Sequence, residues 1–242
     1  FLRPRLADFC RVIELPANAG ATAPLPLAHR SQPLPLSFAQ QRLWLVDRLD
    51  ARAGAAYHMP ACVALRGPLD TAALLAALAR IVDRHDVLRT RFVEIDGQPW
   101  QQVDPAGCGF DLPLHDLSAV DGDDRAARID ALVADEAQAP FDLATGPMIR
   151  GRLLRLAEDE HLLLLTQHHI VSDGWSVGLL LDEQSALYQA FAAGEADPMP
   201  PLALQYADYA AWPPQWLAPD RLQLQQAFWR HQLQGAPDLL TL

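Results

Sequence analysis

The stretch His161–Ser176, HLLLLTQHHIVSDGWS, restricts the possible folds more than any other part of the chain. Its consecutive leucines show neither helical nor alternating periodicity, and a short apolar run bounded by polar residues reads as a strand covered on both faces. Such a strand needs neighbours at its edges and layers above and below. Ile149–Leu156 supplies one neighbour, joined to it as a hairpin through Ala157–Glu160. The run ends at two adjacent histidines, His168 and His169, and Asp173-Gly174 follows four residues after the second. Asp173 is a good N-cap for a helix reaching Ala192, with Gly174 and Trp175 in its first turn. An imidazole at the end of a buried strand can take a proton from an incoming nucleophile, because its unperturbed pKa of ~6.5 is close to operating pH. Helix N–H groups beside it would favour negative charge developing on a carbonyl oxygen. The spacing therefore suggests an acyltransferase base.

Each of these residues also has a plainer reading. Only one of two neighbours on a strand can face a given cavity, which makes His168 the packed, hydrogen-bonded histidine and leaves His169 for chemistry. Asp173 can be an ordinary helix cap. His169 and Asp173 with one further ligand could bind zinc, yet no CxxC, HExxH or similar spacing supplies that ligand. Ser172 and Ser176 lie near a helix start, where serine is commonplace, and neither occupies a G-x-S-x-G elbow.

A net charge of −11 and a pI near 5.0 argue against nucleic acid as the main ligand, since phosphate binding wants a clustered basic surface. No apolar stretch reaches the ~18 residues of a membrane span, and Phe1-Leu2-Arg3 does not open a signal peptide. With 50% of its 242 residues hydrophobic, the chain can bury a full core. Cys10, Cys62 and Cys108 are odd in number and widely spaced, which reads as free thiols in a reducing cytosol. The missing initiator Met suggests a piece of a longer polypeptide.

Phe1–Glu14 carries Leu2, Leu6, Phe9, Val12 and Ile13 at helical spacing. From Leu15 to Leu36, prolines at 16, 24, 26, 33 and 35 end all periodicity, so the segment reads as a semi-extended linker. Its Leu34–Leu36 end reads equally as an ordered loop on the following domain. That domain spans 37–242. It opens with a helix capped by Ser37 and running to Leu49, then a strand over Met59–Leu65. Asp70 caps a helix that sets Leu74, Leu78, Ile81 and Val82 on one face and ends near His85. Leu88–Ile95 turns at Asp96-Gly97 into a returning arm, Trp100–Val103. Helices over Asp124–Glu136, Asp173–Ala192, Gln205–Trp212 and Pro219–Gln234 complete the pattern. Helices and strands alternate without a glycine-rich phosphate loop, which predicts an α/β sandwich with a mixed sheet flanked by helices.

Four segments resemble, in order, the motifs of the condensation domain of nonribosomal peptide synthetases. They are Ser37-Phe38-Ala39-Gln40-Gln41-Arg42-Leu43-Trp44, Arg84-His85-Asp86-Val87-Leu88-Arg89-Thr90-Arg91-Phe92, the HHxxxDG signature His168-His169-Ile170-Val171-Ser172-Asp173-Gly174, and Tyr206-Ala207-Asp208-Tyr209-Ala210-Ala211-Trp212. HHxxxDG alone is shared with acetyltransferases and wax-ester synthases; the four together point to condensation. The resemblance covers about Leu34 to the C-terminus and implies the chloramphenicol-acetyltransferase-like fold, of which this is the N-terminal lobe only.

The reaction the resemblance implies is attack by the amine of an aminoacyl-loaded acceptor carrier on the thioester of a donor carrier. His169 is then the residue that positions or deprotonates the amine, and His168 is structural. Asp173 is expected to pair with an arginine that shapes the loop, Arg89 and Arg84 being the candidates; the plainer readings are a strand-end ion pair for Arg89 and surface charge for Arg84. Gly174 lets substrate approach the backbone, and Trp175 and Ser176 are candidates for the substrate tunnel. No tightly bound cofactor or metal is implied, since substrates arrive on phosphopantetheine arms. The implied partners are a donor carrier upstream in cis, a downstream acceptor carrier and adenylation domain, and the C-terminal lobe; nucleic acid and membrane are not among them. Residues 1–14 resemble the last helix of a carrier, and the absence of an intervening epimerisation domain favours an L-configured donor. Epimerisation domains and recruitment-type docking modules are the alternatives, against which Ser37–Trp44 and an intact His169 respectively speak. The sequence departs from the family pattern at Asp86, where glutamate is usual, and at Pro213-Pro214 after the last motif. With one lobe only, the chain alone is expected to fold but not to condense.

Overall fold

In chain order the elements are β1 (Leu34–Pro35), α1 (Phe38–Leu49), β2 (His58–Arg66), α2 (Thr71–Arg84), β3 (Thr90–Ile95), β4 (Gln98–Val103), β5 (Leu114–Asp116), α3 (Gly122–Gln138), β6 (Ile149–Ala157), β7 (Glu160–His168), α4 (Gly174–Ala192), α5 (Tyr206–Ala211) and α6 (Pro219–Gln232), with 3-10 turns at Ala53–Tyr57 and Asp86–Arg89. This computed structural model describes residues 27–49, 53–212 and 219–236. The helix expected over 1–14, the linker before Leu27, Cys10 and Pro213-Pro214 lie outside the described residues.

The leucine run forms β7, inside a four-stranded sheet ordered β2-β7-β6-β5. It pairs antiparallel with β2 and β6, and β5 lies parallel to β6, so the sheet is mixed as expected. Every residue from Leu163 to His168 is buried, which is why the run shows no alternation. Gly151 on β6 is required by this packing: a Cβ there would lie 2.8 Å from the Leu164 carbonyl oxygen and from a Leu165 methyl.

The second sheet, β1-β4-β3, is antiparallel and separate. Its hairpin turns at Asp96-Gly97, both with positive φ (52° and 75°), the conformation that favours this dipeptide. The free edge of β4 is taken by Leu34–Pro35 rather than by the mixed sheet. Thus the end of the proline-rich stretch is part of the domain, and Leu34 and Leu36 are buried. The strand expected from Leu88 begins only at Thr90, because Asp86–Arg89 closes a 3-10 turn in which the Leu88 amide donates to the His85 carbonyl and the Thr90 hydroxyl to the Asp86 carbonyl.

Helix starts follow the sequence closely. Ser37 and Gln40 form a reciprocal capping box on α1, with bonds of 3.2 and 3.0 Å, and Asp70 Oδ1 accepts from the Ala73 amide on α2. The predicted face of α2, with Leu74, Leu78, Ile81 and Val82, is buried in the main core together with Phe92, Met148, Ile149, Leu153, Leu163, Leu165 and, from α4, Leu180 and Leu187. Among the described residues no helix is long and apolar enough to cross a membrane.

Candidate active site at the end of the central strand

The two histidines at the end of β7 have opposite surroundings, as strand alternation requires. His168 is 1% exposed, whereas His169 is exposed. The Ile170 amide donates to His168 Nδ1 at 3.0 Å, so this nitrogen is unprotonated and Nε2 carries the hydrogen. Burial, reinforced by the nearby His58 and His169 rings, pushes the His168 pKa down to about 4. His168 is thus a neutral, packed imidazole, wedged edge-on against Phe141 and His58 with ring centroids 5.8 and 6.1 Å away.

His169 has the other tautomer. Its Nδ1 lies 2.5 Å from the Ser172 carbonyl oxygen, which can only accept, so Nδ1 holds a proton and, in the neutral ring, Nε2 has the lone pair. A general base needs a free lone pair on a fixed ring, and this bond supplies both. The ring is fixed further by its own backbone, whose amide donates to the Tyr57 carbonyl at 2.8 Å. A turn closed by the Val171 amide on the His168 carbonyl then carries the chain into α4.

Asp173 caps α4 from an extended backbone, accepting at Oδ1 from the Ser176 amide (2.8 Å) and hydroxyl (2.7 Å). These bonds, the hydroxyl foremost, hold its pKa below the usual carboxylate range. The cap also changes what the helix start can do. The Ser176 amide is spent on the Asp173 carboxylate and the Val177 amide on its carbonyl, so these first-turn groups are not free for a substrate oxygen. A Cβ at Gly174 would meet no atom within 4 Å, so its surface is open to an approaching ligand. Trp175 beside it is 81% exposed. Ser176 serves the cap, and Ser172 is buried.

Neither arginine expected beside Asp173 is there. Arg84 is buried and held by Glu183 at 3.1 Å and by the Pro200 carbonyl, which accepts from its Nη1. Arg89 bonds to Asp86 and to the Asp104 carbonyl. Both sit on the 3-10 turn side of α2, where the nearest acceptors are these groups, and both bind motif 2 to its neighbours instead of shaping the HHxxxDG loop.

The loop is braced by residues whose roles the sequence did not reveal. Gln40 of motif 1, 1% exposed, points its amide nitrogen at the Ile170 carbonyl and at Gln101, each at 3.4 Å. Ser37 shares a 2.8 Å hydrogen bond with the Tyr206 hydroxyl of motif 4. Asp208 of motif 4 and Asp86 of motif 2 both bind Arg30, with bonds of 2.9 and 3.0 Å to Asp208 and 2.9 Å to Asp86. Gln205 joins the same two motifs, accepting from the Asp86 amide and donating to the Arg84 carbonyl. All of these residues except Arg30, Gln101 and Gln205 lie inside the quoted motifs; their spacing showed that they belong together but not which atoms meet.

The chain belongs to the condensation-domain family, whose pattern matches residues 30–242. It is 43% identical over its whole length to malpibaldin synthetase of Mortierella alpina, and 39% identical over 98% of its length to isonitrile lipopeptide synthase of Mycobacterium tuberculosis. It spans 4% and 10% of those polypeptides. Among solved structures it is similar to the X-domain from teicoplanin biosynthesis, with TM-score 0.77 and 33% identity over 90% of this chain and 47% of that one. The first condensation domain of the calcium-dependent antibiotic synthetase, in complex with a substrate analogue, gives TM-score 0.74 and 26% identity over 88% of this chain and 51% of that one. The chain therefore corresponds to about half of the fold seen in these structures.

Proposed function

We propose that this chain supplies the His169 half of a condensation site that joins two carrier-bound thioesters. The acceptor amine attacks the donor thioester carbonyl, the carbon–sulfur bond breaks, and an amide forms. His169 Nε2 accepts the proton lost by the amine, and that proton leaves on the departing thiolate of the donor arm. No acyl-enzyme is needed, because the thioester is already activated and orientation can supply much of the rate. The observation that carries the reading is the exposed His169, whose ring is held through Nδ1 on the Ser172 carbonyl so that Nε2 is the nitrogen left for a substrate, within the family signature.

The substrates reach the site on phosphopantetheine arms, from a donor carrier upstream and an acceptor carrier downstream next to its adenylation domain. In this reading residues 1–14 belong to the donor carrier, the proline-rich stretch after them tethers it as far as the segment that packs on the domain, and the donor is L-configured. Supporting this, the match to malpibaldin synthetase covers this chain from end to end, the first residues included. The test is peptide-bond formation by the complete two-lobed domain on loaded carriers, with His169 and with His169→Ala. The reading expects loss of product with an unchanged melting temperature. Undiminished product from the alanine variant would refute a chemical role.

A second reading has one observation in its favour. The likeness to the X-domain from teicoplanin biosynthesis extends to a structure in which that domain is in complex with OxyB, at TM-score 0.76. A docking module of that kind would not need His169 set up as a base, so the same alanine variant separates the two readings.

A further inference from the structure

Arg30 lies outside all four motifs and joins two of them. It accounts for a charge arrangement that is otherwise costly: Asp86 and Asp208 are 8% and 1% exposed, and buried carboxylates persist only when paired and hydrogen-bonded. Asp208 is satisfied on both oxygens. Oδ1 accepts from Arg30 Nη1 and from the Ala28 amide at 2.7 Å, and Oδ2 from Arg30 Nη2 and from the Gln205 amide at 2.8 Å. Burial alone would raise its pKa, but Arg30 and the two amides outweigh that and hold it at about 2. Asp86 divides its oxygens between Arg30 Nε and Arg89. Glutamate is usual at this position, and the shorter aspartate here meets the guanidinium at 2.9 Å. Arg30 also donates from Nη1 to the Ala28 carbonyl, which fixes the entering chain against the domain.

The path from this cluster to the catalytic loop is short. Asp208 is the capping-box partner of Gln205 at the start of α5, and so sets the position of Tyr206. The Tyr206 hydroxyl meets Ser37, Ser37 forms the capping box with Gln40, and Gln40 reaches the Ile170 carbonyl one residue after His169. We propose that Arg30 is a positioning residue of the condensation site, locking motifs 2 and 4 into one body against which motif 1 braces the HHxxxDG loop. The segment that enters the domain is then part of the site's scaffold as well as a tether. This rests on the condensation reading above.

Lysine keeps the charge but cannot span two carboxylates with a planar fork, so Arg30→Lys and Arg30→Ala test the geometry as well as the charge. In the complete two-lobed domain with loaded carriers, Arg30→Ala is expected to lower kcat between about tenfold and a hundredfold, the scale of a small misplacement near the reacting atoms, with KM for the loaded donor unchanged. Arg30→Lys is expected to fall between wild type and alanine. Millimolar guanidinium is expected to restore kcat several-fold in Arg30→Ala but not in Asp208→Asn, a response that loss of general stability would not give. Hydrogen exchange on the 242-residue chain gives a second readout: the Ala28 and Gln205 amides lose protection in Arg30→Lys while β7 keeps its own. Unchanged kcat in both Arg30 variants, or unchanged protection at Ala28 and Gln205, overturns the proposal. Absence of product from the wild-type domain overturns the condensation reading instead.

Discussion

His168 makes the stability of this lobe depend on pH in a way that can be isolated. Its imidazole is neutral when folded, with a pKa of about 4, against ~6.5 for an unperturbed histidine. As pH falls through the unfolded pKa, the unfolded chain takes up a proton that the folded chain refuses, so stability is lost on acidification and the loss ends near the folded pKa. Integrating between those values, the lobe at pH 5 is about 2 kcal/mol less stable than at pH 7 from this residue alone, and the limiting loss is about 3 kcal/mol. For a domain of this size that corresponds to a fall in Tm of roughly 4–8 °C at pH 5. His168→Asn removes the titration while keeping an acceptor near the position of Nδ1 for the Ile170 amide. The variant is destabilised at every pH because the ring is lost from a buried site, so the relevant quantity is the difference between pH 7 and pH 5 in urea or thermal melts. Wild type should lose about 2 kcal/mol more than the variant over that interval. Equal losses would show that His168 is not held neutral by its surroundings, and the assignment of its tautomer would fail with it.

Other consequences can be measured on the same chain. Asp173→Ala removes a cap that satisfies both the Ser176 amide and hydroxyl, and should cost about 1 kcal/mol by chemical denaturation. Wild type should lose the same contribution as pH drops through the lowered Asp173 pKa, because a depressed carboxylate stabilises only while ionised. Gly151→Ala should lower Tm sharply, since the new methyl would sit 2.8 Å from a backbone oxygen. Gly174→Ala should leave Tm unchanged or slightly raised, there being no atom within 4 Å of the added Cβ; if it nonetheless abolishes product formation in the complete domain, the glycine serves substrate approach.

What could be read in advance follows the range of the forces involved. Local signals read well: the caps at Ser37, Asp70 and Asp173, the apolar face of α2 and the hairpins at Asp96-Gly97 and Ala157–Glu160 all depend on residues a few positions apart. The three-residue strand β5 and the two-residue β1 carried no periodicity of their own and exist because β6 and β4 offer free edges. Leu88 looks strand-like by pattern, but the turn that contains it is closed by hydrogen bonds and by an ion pair between Asp86 and Arg89. The partners of the motif residues were hidden for the same reason. Arg30 and Asp208 are 178 residues apart and Ser37 and Tyr206 are 169, separations at which residue type shows that a polar group needs a partner but not which one it finds. The exposed position of His169 at the strand end was legible because a strand end, a neighbouring histidine and a helix cap converge within a few residues; the arginine expected beside Asp173 is absent because serine three positions on satisfies the carboxylate instead.

The two neighbouring imidazoles have opposite tautomers, and that can be observed directly. Nitrogen-15 NMR of the histidine-labelled chain near neutral pH, with His168→Asn and His169→Ala to assign the signals, reports which ring nitrogen carries the proton. The structure predicts His169 protonated at Nδ1 with a free Nε2, and His168 protonated at Nε2. A neutral His169 protonated at Nε2 would carry its lone pair on Nδ1, against the Ser172 carbonyl, and would contradict the proposed role of Nε2 as the base.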